Sequence, residues 1–112
     1  FLKASMKGWD YAIAHQEEAV DLMGIDFAEN DVTARDHQML SMKEVAKLYA
    51  ADDALEKGLF YINKDKLDQT VEIAQTYVDE VGEIDIDKIY TMTVWKKAVE
   101  GMEFANYEEY LN

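Results

Sequence analysis

The sequence predicts a mostly α-helical fold. It contains no proline and only five glycines in 112 residues, so few positions interrupt a helix. Apolar residues recur at intervals of three and four along several stretches, which is the spacing of one helix face. The apolar fraction of 49% argues against disorder despite the high charge. Because no linker, repeat or low-complexity block divides the chain, residues 1–112 are predicted to be a single helical unit.

The first 23 residues are predicted to form two consecutive helices. The first covers residues 1–14 and the second residues 16–23, with a kink at His15-Gln16 and a stop at Gly24. Gly8 lies inside the first helix, where it predicts close packing of another backbone. The apolar stripe of the first helix consists of Phe1, Leu2, Met6, Trp9 and Ile13. Because core-type side chains start at the first residue, where a natural terminus is usually polar, we expect the chain to be a fragment of a longer protein.

A third helix is predicted over residues 31–51. Its apolar positions, spaced by three and four, are Met39, Met42, Ala46 and Tyr49. Asp52-Asp53 and Gly58 mark a break after it. The apolar run at residues 59–62 is predicted to be either a short strand or a buried connector, because its length suits both.

The strongest helix signal follows Asn63, a favourable N-cap residue. This helix is predicted to end at Gly82 and to bury one stripe, formed by Leu67, Val71, Ala74, Val78 and Val81. Isoleucine and aspartate alternate at residues 84–87, which predicts a short extended piece there. A helix is predicted to follow over residues 88–100. Residues 101–112 are predicted to be a docking helix or a tail that needs a partner. Their apolar positions are Phe104, Tyr107, Tyr110 and Leu111.

No catalytic or metal site is predicted from the residues. His15 and His37 are the two histidines of the sequence, and neither has a serine or aspartate at catalytic spacing, so both are interpreted as surface or capping residues. Asp85-Ile86-Asp87 superficially resembles a calcium loop, yet the third oxygen ligand, turn glycine and later glutamate are missing. The six methionines are interpreted as core-filling. We therefore expect no enzymatic activity, no cofactor and no metal.

Charge restricts the partners. Eleven basic and 24 acidic residues give a net charge of −13, which repels nucleic acid and anionic membranes. The carboxylates are spread along the chain and predict a solvated surface. Cysteine is absent, which excludes disulfides and thiolate metal sites. The sequence shows no run of 18 apolar residues and no signal segment at Phe1.

The opening segment FLKASMKGWDYAIAHQEEAVDLM carries a recognisable motif. Its residues are Phe1, Leu2, Ala4, Gly8, Trp9, Tyr11, Ala12, Glu17, Glu18, Ala19 and Val20. They resemble a motif of the solute-binding proteins that serve ABC importers of nitrate, sulfonates and thiamine-pyrimidine precursors. This family usually has Asn-Pro where the chain has His15-Gln16. NKDKLDQTVEIAQTYVDEVGEI and IDIDKIYTM resemble two later family segments in the same order, so the resemblance covers residues 1–92.

The resemblance implies the helical C-terminal segment of a two-lobed α/β fold of the type II periplasmic-binding-protein kind. It implies an extracytoplasmic protein, either periplasmic or anchored as a lipoprotein, that delivers a small solute to an ABC permease without chemistry. The ligand-contacting loops of such a protein would lie upstream, so no ligand-binding residue is assigned. Residues 93–112 depart from the family pattern. The alternative is a free-standing acidic helical module that binds a basic or apolar protein partner through its tail.

Self-association is also expected if the chain is a fragment. Removing a sheet from a two-lobed protein would expose the apolar helix faces that it covered. The side chains expected to need a new partner are Leu2, Met6, Trp9 and Ile13. A symmetric dimer would cover them with an identical surface.

Overall fold

The computed structural model describes residues 1–23 and 34–111. About two thirds of these residues are helical, and none of them lies in a β-strand, which confirms the predicted mostly α fold. The α-helices are α1 (Leu2–Ala14), α2 (Gln16–Leu22), α3 (Arg35–Tyr49), α4 (Asp53–Lys57), α5 (Lys64–Tyr77), α6 (Ile86–Ile89) and α7 (Thr93–Val99). No helix in the described part of the chain is long and apolar enough to cross a membrane.

α1 and α2 lie where the sequence predicts them. α1 buries Met6 and Ile13 completely, and α2 buries Val20. His15 leaves helical geometry, with φ −132° and ψ 54°, so the predicted kink is confirmed. Phe1 is fully exposed, which makes its assignment to the buried stripe wrong. As the N-cap residue of α1, Phe1 lies before the helix whose buried residues are Met6 and Ile13.

Gly8 does not contact another backbone, so that prediction is wrong. The residue is exposed, and a Cβ atom built on it would have no neighbour within 4 Å beyond its own helix backbone and adjacent residues.

Glycine in an exposed helix interior, such as Gly8, lowers stability relative to alanine. We expect Gly8→Ala to raise the free energy of unfolding by up to about 1 kcal/mol in urea titrations. A decrease would mean that position 8 contacts a surface after all.

α3 occupies most of the range predicted for the third helix. Ala46 is buried, and the three other predicted positions are half-buried, so the predicted stripe faces the interior. The predicted stop at Gly24 and the predicted start of this helix at Asp31 lie outside the described residues.

The break predicted after α3 contains a short helix, α4, which ends at Gly58. Residues 59–62 form no strand, so they are a connector, which is the second of the two predicted possibilities. Leu59 is fully buried, whereas Ile62 is exposed. The indole Nε1 of Trp95 donates a hydrogen bond of 2.9 Å to the carbonyl oxygen of Leu59. This bond joins the connector to α7.

α5 begins as predicted but ends earlier. The side chain of Asn63 accepts hydrogen bonds from the backbone N–H groups of Asp65 and Lys66, as an N-cap does. Val71 is buried, whereas Val78 lies outside the helix and is 54% exposed, so its predicted burial is wrong. The last turn of α5 has no basic side chain, and Asp79 and Glu80 follow it. Carboxylates are unfavourable at a helix C-terminus, which explains the early end.

The region after α5 also differs from the prediction. α6 begins at Ile86, inside the piece that was expected to be extended, so only residues 84 and 85 of that piece lie outside the helix. The Asp85 carboxylate caps the first turn of α6 by accepting a hydrogen bond from the backbone N–H of Asp87. The expected helix over 88–100 is interrupted at residues 90–92 and resumes as α7. The final segment is a docked tail with one 3-10 turn, Tyr107–Glu109, and not a regular helix.

The core joins the two ends of the described chain. Its buried members are Ile13, Ala46, Ala50, Leu59 and Tyr107. Trp9 stacks on Tyr49 with ring centroids 4.1 Å apart, and Phe104 and Leu111 of the tail pack against the same cluster. The stripe of α1 that was expected to need a partner is therefore covered by this chain: Met6 and Ile13 are buried, and Leu2 and Trp9 are half-buried.

Candidate functional site

A cleft of about 540 Å³ lies between the end of α3, α4 and the first turns of α5. Tyr49 and Phe60 line it from the core side, with their rings in edge contact and centroids 5.7 Å apart. Tyr61 and Leu67 add apolar surface at its other walls. Such a cleft suits a small molecule with an apolar or aromatic part, because ligand sites combine apolar walls with a few polar groups.

The polar groups of this cleft form one cluster around Lys66. Its ammonium lies 2.8 Å from the carboxylate of Asp52 and 3.6 Å from that of Asp53. The hydrogen bond from Lys66 holds the pKa of Asp52 below its usual value, and the same bond raises the pKa of Lys66. The amide of Asn63 donates to Asp53. The cleft thus offers two carboxylates against one ammonium.

The backbone around the cleft has unusual geometry. Asp52 has φ 46° and Phe60 has φ 61°, both in a region that side chains other than glycine rarely occupy. Gly58, between them, has φ 104°. Residues in such conformations cost about 1–3 kcal/mol each and tend to occur near functional sites. The sequence signals only a break here, because Asp52 and Phe60 are not residue types that predict a positive φ.

A second cleft of about 540 Å³ lies between α1 and the tail, where His15 is found. The imidazole of His15 stacks on Tyr11 at 4.1 Å, and its Nδ1 lies 3.0 Å from the Tyr11 carbonyl oxygen. Tyr11 donates a hydrogen bond to Glu18, which raises the pKa of the Tyr11 hydroxyl. His15 is exposed and contacts the end of α1, in agreement with its interpretation as a capping residue. His37 is exposed on α3.

The acidic residues are not assembled into a metal site in the described ranges. No group of three or more histidine, aspartate or glutamate side chains lies close enough there to hold an ion. Asp85 caps α6 and pairs with Lys88 at 3.2 Å. Among the methionines, Met6 is buried as predicted, whereas Met23 is 62% exposed.

Asp10 forms a contact with the tail that the sequence does not predict. Its Oδ1 accepts a hydrogen bond of 2.6 Å from the hydroxyl of Tyr107 and one of 2.9 Å from the backbone N–H of Ala105. Burial and this bond raise the pKa of Tyr107. Gln16 donates to the carbonyl oxygen of Tyr110 at 3.0 Å. α1 and the start of α2 therefore hold the tail through two polar side chains.

Comparison with known proteins gives no match: no family model, curated protein or solved structure is similar to this chain.

Proposed function

We propose that this chain is the helical portion of an extracytoplasmic solute-binding protein that delivers a small molecule to an ABC importer. In this role the chain performs no chemistry and packs against the remainder of a two-lobed protein. Three sequence segments support the proposal, because they resemble segments of that family in the same order along residues 1–92.

The observation that carries the proposal is the amount of open apolar surface. Outside residues 73–78, eleven large apolar side chains in the described residues are at least 38% exposed. Helices that cover a sheet in an α/β lobe need apolar surface of this kind. These exposed apolar side chains therefore suit a unit that packs against further secondary-structure elements.

The tail is a poor candidate for the binding surface of a free-standing interaction module. Tyr107 is only 3% exposed, and Phe104 and Leu111 pack against the core. Releasing these side chains to meet a partner would open the core. Support for the interaction module must therefore come from another surface.

The test is to extend the reading frame towards its N-terminus and to express the whole protein. We expect several βα units and an export signal upstream. Nitrate, alkylsulfonates and pyrimidines should be screened by thermal unfolding, and at least one class should raise the Tm of the whole protein but not of residues 1–112 alone. A complete frame that lacks βα units would contradict the proposal.

A further inference from the structure

The second half of α5 carries apolar side chains that are exposed to solvent. Ile73 and Tyr77 stand one helical turn apart and are 59% and 80% exposed. Val78 follows directly and is also exposed. A shallow depression of about 350 Å³ lies beside Ile73 and Tyr77. We refer to Ile73 and Tyr77 as the α5 face.

The α5 face differs from the side of the helix that packs on the protein. Val71 is buried, and Leu67 and Ala74 are half-buried. Ile73 precedes Ala74 by one residue, which places the two about 100° apart around the helix axis. α5 therefore has one apolar side that packs against the rest of the protein and a second that is exposed and can contact another molecule.

The chain around the α5 face carries more carboxylates than the cations beside it neutralise. Residues 67–87 contain no lysine or arginine and seven carboxylates, namely Asp68, Glu72, Asp79, Glu80, Glu83, Asp85 and Asp87. Asp68 pairs with Lys64, and Asp85 pairs with Lys88. Within residues 1–23 and 34–111, no cation lies at ion-pair distance from the other carboxylates of this stretch. An apolar centre surrounded by carboxylates is complementary to a basic, apolar partner.

We propose that the α5 face docks a basic amphipathic segment of another protein. The segment places an apolar side chain in the depression beside Ile73 and Tyr77 and its lysine or arginine side chains near Glu72 and residues 79–87. Charge disfavours a second copy of this chain as the occupant, because each copy carries a net charge of −13. The docking site is independent of the proposed solute-binding role, since it uses only contacts of α5.

Fluorescence anisotropy with a labelled amphipathic peptide of leucine and lysine tests the proposal. The double variant Ile73→Ser/Tyr77→Ser should bind this peptide about tenfold more weakly than the unchanged chain. The matched control is Leu40→Ser/Leu48→Ser, which removes two exposed apolar side chains from α3 and leaves the net charge the same. The control should retain the affinity. Replacing the lysines of the peptide with glutamate should abolish binding.

Two outcomes would overturn the proposal. Equal affinities of the unchanged chain and both variants would show that net charge alone attracts the peptide. Self-association that sedimentation detects in the unchanged chain but not in Ile73→Ser/Tyr77→Ser would assign the α5 face to a second copy. Circular dichroism should show that the variants keep their helix content, because the replaced side chains are exposed. NMR shifts on adding the peptide should be concentrated in residues 69–80.

Discussion

Gly58→Ala is expected to destabilise the protein by about 3 kcal/mol. The residue has φ 104° and ψ 165°, a region that is essentially restricted to glycine and costs other residues about 1–3 kcal/mol. A Cβ atom at this position would also overlap the ring of Phe104, which packs against the core. Strain and overpacking therefore act together. Thermal unfolding should show a Tm lower by about 10 °C or more.

Gly8→Ala is the matched control for Gly58→Ala, because it makes the same chemical change where a Cβ atom has open space. The two variants should change stability in opposite directions. A cycle with Phe104→Leu separates the two causes at Gly58, since the smaller side chain should relieve the overlap but not the backbone strain. Equal effects of the two glycine variants would contradict the role assigned to Gly58.

Local signals predicted the parts of the fold that depend on neighbouring residues. The interval between Met6 and Ile13 predicts their shared face on α1, and Asn63 predicts the start of α5 through its own side chain. The end of α5 was predicted incorrectly, because the apolar spacing continues to Val81 while the acidic residues after Tyr77 disfavour the helix. Two local preferences conflict there, and the spacing alone does not show which prevails.

The contacts that close the core are not readable from local patterns. The sequence predicts only that Gly58 marks a break after the third helix. Its lack of a side chain also makes room for the ring of Phe104, 46 residues later. The cleft near Lys66 is lined by Asp52 and Phe60, whose positive φ angles no local sequence pattern predicts. Asp10 lies outside the apolar stripe of α1, so hydrophobic spacing says nothing about it. Such roles follow from tertiary packing and not from sequence periodicity.

Asp10→Ala should release the tail and destabilise the protein by about 3 kcal/mol. The change leaves the buried hydroxyl of Tyr107 and the N–H of Ala105 without their acceptor. Hydrogen bonds to charged groups contribute about 1.5–3 kcal/mol, and an unpaired buried donor costs about 1–3 kcal/mol. Urea unfolding measures the loss. Asp10→Asn keeps an acceptor oxygen and should lose less, so an equal loss in both variants would contradict this explanation.

The bond between Asp10 and Tyr107 also predicts how stability changes in alkali. Burial, with the Asp10 bond, raises the pKa of Tyr107 in the folded protein, whereas tyrosine in the unfolded chain titrates near about 10. The stabilisation is therefore complete below that pH and is lost as the pH rises towards the folded pKa. Tyr107→Phe removes this titration and should make the decrease in stability above pH about 10 shallower. Tyr77→Phe, which makes the same chemical change at a side chain that is 80% exposed, is the matched control for the substitution. Profiles of equal slope for the Tyr107 variant and the unchanged chain would show that this hydroxyl does not couple folding to pH.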